Sequence, residues 1–119
     1  MEINIQEINN VPVGSLVDES IVIESAHQAA ELIMNCIYSG SDRLILHQTN
    51  LPSGFFVLKT GLAGDFLQQF STYGGFLAII GDFSGVKSQS LQDFISESNR
   101  IGRINFVRSM EEAISKLTQ

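Results

Sequence analysis

A chain of 119 residues with 44% hydrophobic and 17% charged side chains has the size and polarity of a single globular domain, residues 1–119, which excludes both a disordered segment and a two-domain protein. Its 13 acidic residues against 7 basic ones leave a net charge of −6, which argues against nucleic acid and against an anionic membrane surface, both of which are held by Lys and Arg. The lone Cys36 cannot close an intrachain disulfide, no apolar run has the length of a membrane span, and Met1-Glu2-Ile3-Asn4 lacks the basic and apolar regions of a signal peptide; a cytoplasmic location is expected.

Ile3, Ile5 and Ile8 alternate with polar residues, slipping by one at Glu7, and Asn9-Asn10 precedes Val11, Val13 and Leu16. Asn tolerates the positive φ of a tight turn, so the pattern predicts an antiparallel hairpin of strands over 2–8 and 11–17. Pro12 has no N–H to give a ladder and belongs at a strand start or with that position facing outward. Ser25 with Gln28 forms a capping-box pair that opens a helix. Ala26, Ala30, Ile33 and Ile37, with Ala29 and Met34 beside them, supply its apolar face, and Gly40 its C-terminal stop. On this helix Cys36 reads as a core thiol and His27 as a surface residue.

Arg43 to His47 is a short apolar run with polar ends, a buried strand, and residues 51–58 read as a loop or a single helical turn. Thr60 is positioned to cap the next helix, with Leu62, Phe66, Phe70, Ala63, Leu67 and Tyr73 as its buried face. Gly61 and Gly64 near its start suggest a close approach to the backbone. Phe76 to Ile80 has no polar alternation and ends at Gly81-Asp82, which predicts a central strand covered on both faces, parallel to Arg43–His47 on one side and Ile104–Val107 on the other. Ser90 with Asp93 opens a third helix, with Leu91, Phe94, Ile95 and Ile101 facing inward and Gly102 closing it. Ser109 with Glu112 opens a fourth, carrying Ala113, Ile114 and Leu117 on its inner face.

The order β-β-α-β-α-β-α-β-α implies an α/β fold with a mostly parallel mixed sheet and an N-terminal antiparallel hairpin. That topology resembles the STAS domain of anti-sigma factor antagonists. Leu58-Lys59-Thr60-Gly61-Leu62-Ala63 is similar to the loop where that family carries Asp-Ser-Ser-Gly-Leu-Gly, with Leu58 in place of the Asp and Lys59 in place of a Ser. The resemblance implies that Thr60 matches the phosphorylatable Ser, and it implies a regulatory protein-interaction module with a protein partner. Three longer segments, Phe55 to Asp65, Ile79 to Ser84 and Asp93 to Asn99, are similar to the bacterial family called domain of unknown function 4180. That resemblance supports the fold and implies no activity.

In open α/β sheets ligands bind beyond the carboxyl ends of the strands. Lys59, Thr60, Gly61, Asp82 and Ser84 are therefore the candidate ligand-binding or regulatory residues, with His47 to Asn50 and Glu97 to Arg100 nearby. Free N–H groups at a helix start would suit an anion, the alternative being that Asp82 and Ser84 only tie a loop. His47 with Asp82 and Thr60 or Ser84 is the one set from which a hydrolase or transferase could be built, and it ranks below a binding role. The pattern contains no metal-ligand cluster, nucleophile elbow or phosphate loop, so no metal or cofactor is expected. Eight phenylalanines, with Phe55, Phe56 and Phe83 in loops, suggest either a homodimer surface or a satellite of the core.

Overall fold

A computed structural model describes all residues, 1–119. Five strands, β1 (Ile3–Ile8), β2 (Val11–Leu16), β3 (Arg43–His47), β4 (Phe76–Ile80) and β5 (Ile104–Val107), lie in one sheet in the order of the sequence. Only β1 runs antiparallel to its neighbour; β2 to β5 are parallel, and β4 sits between β3 and β5 as its apolar run predicts. Four helices connect or follow them: α1 (Ala26–Tyr38), α2 (Leu62–Tyr73), α3 (Gln89–Ile101) and α4 (Met110–Leu117). Between β3 and α2, where a loop or one turn was expected, three 3-10 turns occupy Gln48–Asn50, Ser53–Phe56 and Leu58–Thr60.

The period-2 alternation of the strands builds two separate cores. Leu16, Leu44, Leu46, Leu77, Ile79, Ile104 and Phe106 face one way and pack on α1, α2 and α3. Val13, Ile45, Ala78 and Val107 face the other way and pack on Ala113 and Leu117 of α4. The middle of β4 is fully buried, while Phe76 and Ile80 at its ends are half-buried. Gly14 of β2 is required by close approach, since a Cβ there would stand 2.6 Å from Cys36 Sγ of α1.

Asn9 and Asn10 take φ of 53° and 66°, the two-residue turn that the hairpin needs. Ile8 pairs with Val11 across it, and Val17 N–H donates to Glu2 C=O at the far end. Hydrogen-bonded pairs alternate with open ones in such a ladder, so Ile3, Ile5 and Glu7 turn their N–H and C=O groups away from β2. Pro12 faces Glu7 in an open pair, and its carbonyl accepts from Ser41 Oγ at 2.6 Å; the missing N–H costs the ladder nothing. The opposite edge, β5, is covered at Phe106 by a side chain. Asn99 of α3 accepts from Phe106 N–H at 2.7 Å and donates to Phe106 C=O at 3.3 Å, imitating a neighbouring strand.

Helix faces differ from the periodicity in detail. On α1 the buried residues are Ala29, Ala30, Leu32, Ile33 and Cys36, while Met34 and Ile37 point outward beside Tyr38, which is 94% exposed. Cys36 displaces Ile37 because Gly14 lets the helix seat there. Tyr73 and Ile101 are likewise exposed. The N-cap of α3 is Ser88, whose hydroxyl accepts from Leu91 N–H, and not Ser90, which lies inside the first turn. The N-caps of α1 and α4 are Ser25 and Ser109, as the capping boxes predict.

Candidate functional site

Each parallel strand ends on the same side of the sheet, and the polar groups there mostly satisfy one another. After β2, Asp18 Oδ1 accepts from the amide and hydroxyl of Ser20 at 2.9 and 2.6 Å. After β4, Asp82 Oδ1 accepts from the amide and hydroxyl of Ser84 at 3.0 and 2.6 Å. These bonds hold the Asp82 carboxyl below its ordinary range, with a smaller pull from the Arg108 charge. After β3, the buried Asn50 amide accepts from His47 N–H and donates to the carbonyls of Asp18 and Ile21, pinning the 18–23 segment to the strand end. Gln48 Oε1 accepts from Asp82 N–H at 3.2 Å, joining the third and fourth strand ends.

Thr60 stands at the end of the last 3-10 turn and does not cap α2; Gly61, with φ of 78°, is the N-cap. The left-handed conformation is why glycine is required at 61. Neither Gly61 nor Gly64 is approached by another atom where a Cβ would stand, so no close packing explains them. The Thr60 hydroxyl lies 2.7 Å from Gly54 C=O and 2.8 Å from Val57 C=O, and it accepts from Leu62 N–H at 3.2 Å. It therefore fastens the two 3-10 turns to the helix start. The Ala63 and Gly64 amides have no protein acceptor, and Lys59 is exposed alongside.

The set from which a hydrolase or transferase would be built does not assemble. His47 Nε2 faces Glu19 at 3.3 Å while its buried Nδ1 has no partner; Asp82 serves Ser84, and Thr60 serves carbonyls. No hydrogen bond links Lys59, Thr60 or Gly61 with Asp82 or Ser84. Their neighbourhood is aromatic instead. Phe55 packs on Phe56, Phe66 and Phe106, and Phe83 on Phe56 and Phe106, with centroids 5.0–6.3 Å apart. Phe55 is 1% exposed and Phe56 and Phe83 are half-buried; the loop phenylalanines are a satellite of the core.

Beside this cluster a cavity of about 480 Å³ opens between the β4–α3 loop, α3, the end of β5 and the start of α4. Phe83, Ile95 and Phe106 form its apolar floor; Ser84, Asn99, Arg108 and Glu112 form its rim. Of the five candidate residues only Ser84 lines it. Arg108 and Glu112 escaped sequence reasoning, although an arginine directly after a buried strand and ahead of a capping box is a readable signal. No three His, Cys, Asp or Glu side chains converge as metal ligands, and no helix is long and apolar enough to cross a membrane.

The sheet with its antiparallel first strand, three helices on one face and one on the other, is a STAS-like α/β domain. A crystal structure from Thermotoga maritima, described as a candidate anti-sigma factor antagonist, superimposes with a TM-score of 0.50 at 15% identity, over 98% of this chain and 95% of that one. The chain belongs to the family described as a domain of unknown function, DUF4180, whose pattern matches residues 8–117. No curated protein matches it.

Proposed function

We propose that the chain is a non-catalytic, cytoplasmic protein-interaction module of STAS-like type, with Lys59, Thr60, Gly61, Asp82 and Ser84 on its partner-facing end. The observation that carries this reading is the apolar-floored, polar-rimmed cavity at the carboxyl ends of β4 and β5, next to hydroxyl and carboxylate groups already committed to structural bonds. Such a cavity takes an apolar side chain of a partner and offers no assembled nucleophile and base. The fold shared with the Thermotoga anti-sigma factor antagonist favours a protein partner.

Phosphorylation of Thr60 is the switch in this reading. A phosphorylated oxygen has no proton to give Gly54 or Val57, so modification would release the turns over 53–60. Lys59 and the free amides of Ala63 and Gly64 would take up the new charge. Capture from the native host should yield a partner that Arg108→Glu and Thr60→Asp both lose, while Glu31→Lys, exposed on α1 and outside the cavity lining, retains it. Identical capture by all four proteins overturns the reading. Covalent labelling by a fluorophosphonate, abolished by mutation of Thr60 or Ser84, would instead favour the hydrolase alternative. A homodimer would use the outward Met34, Ile37 and Tyr38 of α1, because the loop phenylalanines are occupied; sedimentation of Tyr38→Glu against wild type tests it.

A further inference from the structure

The amino ends of the parallel strands carry four of the seven basic residues in a chain of net charge −6. Arg43 opens β3, Arg103 precedes β5, and Arg100 and Lys116 lie in the last turns of α3 and α4. The guanidinium carbons of Arg43 and Arg103 stand 4.6 and 4.4 Å from the Phe76 ring centroid, and Arg103 also donates to Gly75 C=O at 2.8 Å. An open cleft of about 390 Å³ lies here, lined by Arg43, Phe76, Arg100, Ile101, Asn105 and Lys116 among others. Helix carbonyl ends favour cations, which accounts for Arg100 and Lys116 but not for the two strand arginines. Asp42 pairs with Arg43 at 3.6 Å and Glu97 with Arg100; Arg103 and Lys116 face no carboxylate partner.

A second observation points to a ligand. Asn105 is only 2% exposed, and both amide hydrogens are committed, to Leu77 C=O at 3.2 Å and Gly102 C=O at 3.0 Å. Those two bonds fix which atom is the oxygen. Its Oδ1 accepts from no protein donor, and Asn105 lines the cleft. That oxygen is not sealed inside the protein, since His47 Nδ1 is the buried polar atom left without a partner; it opens on the cleft, where a ligand donor can reach it.

We infer that this cleft binds a small phosphorylated molecule bearing a free hydroxyl, its phosphate set among Arg43, Arg100 and Lys116 and its hydroxyl donating to Asn105 Oδ1. Guanidinium groups suit the phosphate because they offer paired donors, and stacking on Phe76 holds Arg43 in place before binding. The site lies towards the amino end of β5, with Asn99 lining both it and the carboxyl-end cavity, and it does not rest on the partner reading.

The test is a titration followed by amide chemical shifts, using glucose 6-phosphate, inorganic phosphate and glucose as probes. Glucose 6-phosphate is expected to shift the Arg43, Gly102 and Asn105 amides and to bind about tenfold or more tightly than inorganic phosphate, with glucose inert. Lys116→Gln with Arg100→Gln, both exposed and away from the core, should weaken it by about tenfold or more while leaving the spectrum of the free protein intact. Shifts confined to Lys59–Gly64, equal affinity for phosphate and its ester, an unweakened double variant, or no shift at millimolar ligand each overturn the inference.

Discussion

The two ends of the sheet are made of the same kinds of element and yet behave oppositely. At the carboxyl end, Asp18, Asn50, Thr60 and Asp82 spend their polar atoms on nearby backbone and hydroxyl groups, and Phe55 and Phe106 fill the space between them. At the amino end, cations outnumber carboxylates and the Asn105 amide oxygen, open to the cleft, has no protein donor. The carboxyl end thus commits its hydroxyls and carboxylates to structural bonds and leaves only His47 Nδ1 and the Ala63 and Gly64 amides without protein partners, whereas the end that a sheet-topology rule passes over gathers the cations.

The largest expected effect comes from opening the closed end. Phe55→Ala removes a side chain that three rings enclose and should destabilise the domain by about 3–5 kcal/mol in chemical denaturation. Asn50→Ala should cost about 2–3 kcal/mol, because two carbonyls and an amide lose their partner at once. If either variant unfolds with the wild-type midpoint, the carboxyl end is not the rigid one.

Two pH experiments sharpen the contrast. Burial, aided by the Asp42 charge, pushes the Cys36 thiol near the amino end up to about 11. A raised value means the neutral thiol is favoured in the folded chain, so its contribution is intact below the ordinary thiol range of about 8.5 and is lost as pH rises towards about 11. Unfolding free energy measured across that window should fall more steeply for wild type than for Cys36→Ala. The smallest effect belongs to the two Asp-x-Ser turns, whose carboxyls are held low by their serines. Their contribution is present above the ordinary value of about 3.9 and disappears as pH falls below it. Asp18→Asn and Asp82→Asn should each flatten the acid limb slightly and by similar amounts; an effect at Asp82 alone would mark it as more than a turn.

That equivalence shows where the sequence was readable. Asp18-Glu19-Ser20 reads as a break and Asp82-Phe83-Ser84 as a candidate site, although both fold into the same turn, because only the second follows a fully apolar strand. The strands β3, β4 and β5 were legible to the residue, since an uninterrupted apolar run between polar ends has one economical solution. Thr60 was misplaced by one residue as a cap because a left-handed Gly61 can end a 3-10 turn and start a helix at once. Met34 and Ile37 were misplaced because close approach at Gly14 turns α1 towards Cys36. The amino-end cleft was illegible for a different reason: Arg43 in β3 and Lys116 in α4 lie far apart in the chain, and only three-dimensional pairing brings them together.

The Asn99 clamp on β5 has a consequence for how copies of the chain can associate. A sheet with two open edges can add neighbours at both and grow without limit, whereas one edge here is already capped by an internal amide. Growth through backbone pairing is then confined to β1, where an antiparallel partner closes the two-fold pair and leaves no edge for a third. Asn99 is in this sense a chain terminator at that edge, and its replacement by Ala should free the Phe106 backbone groups, which sedimentation would read as added association.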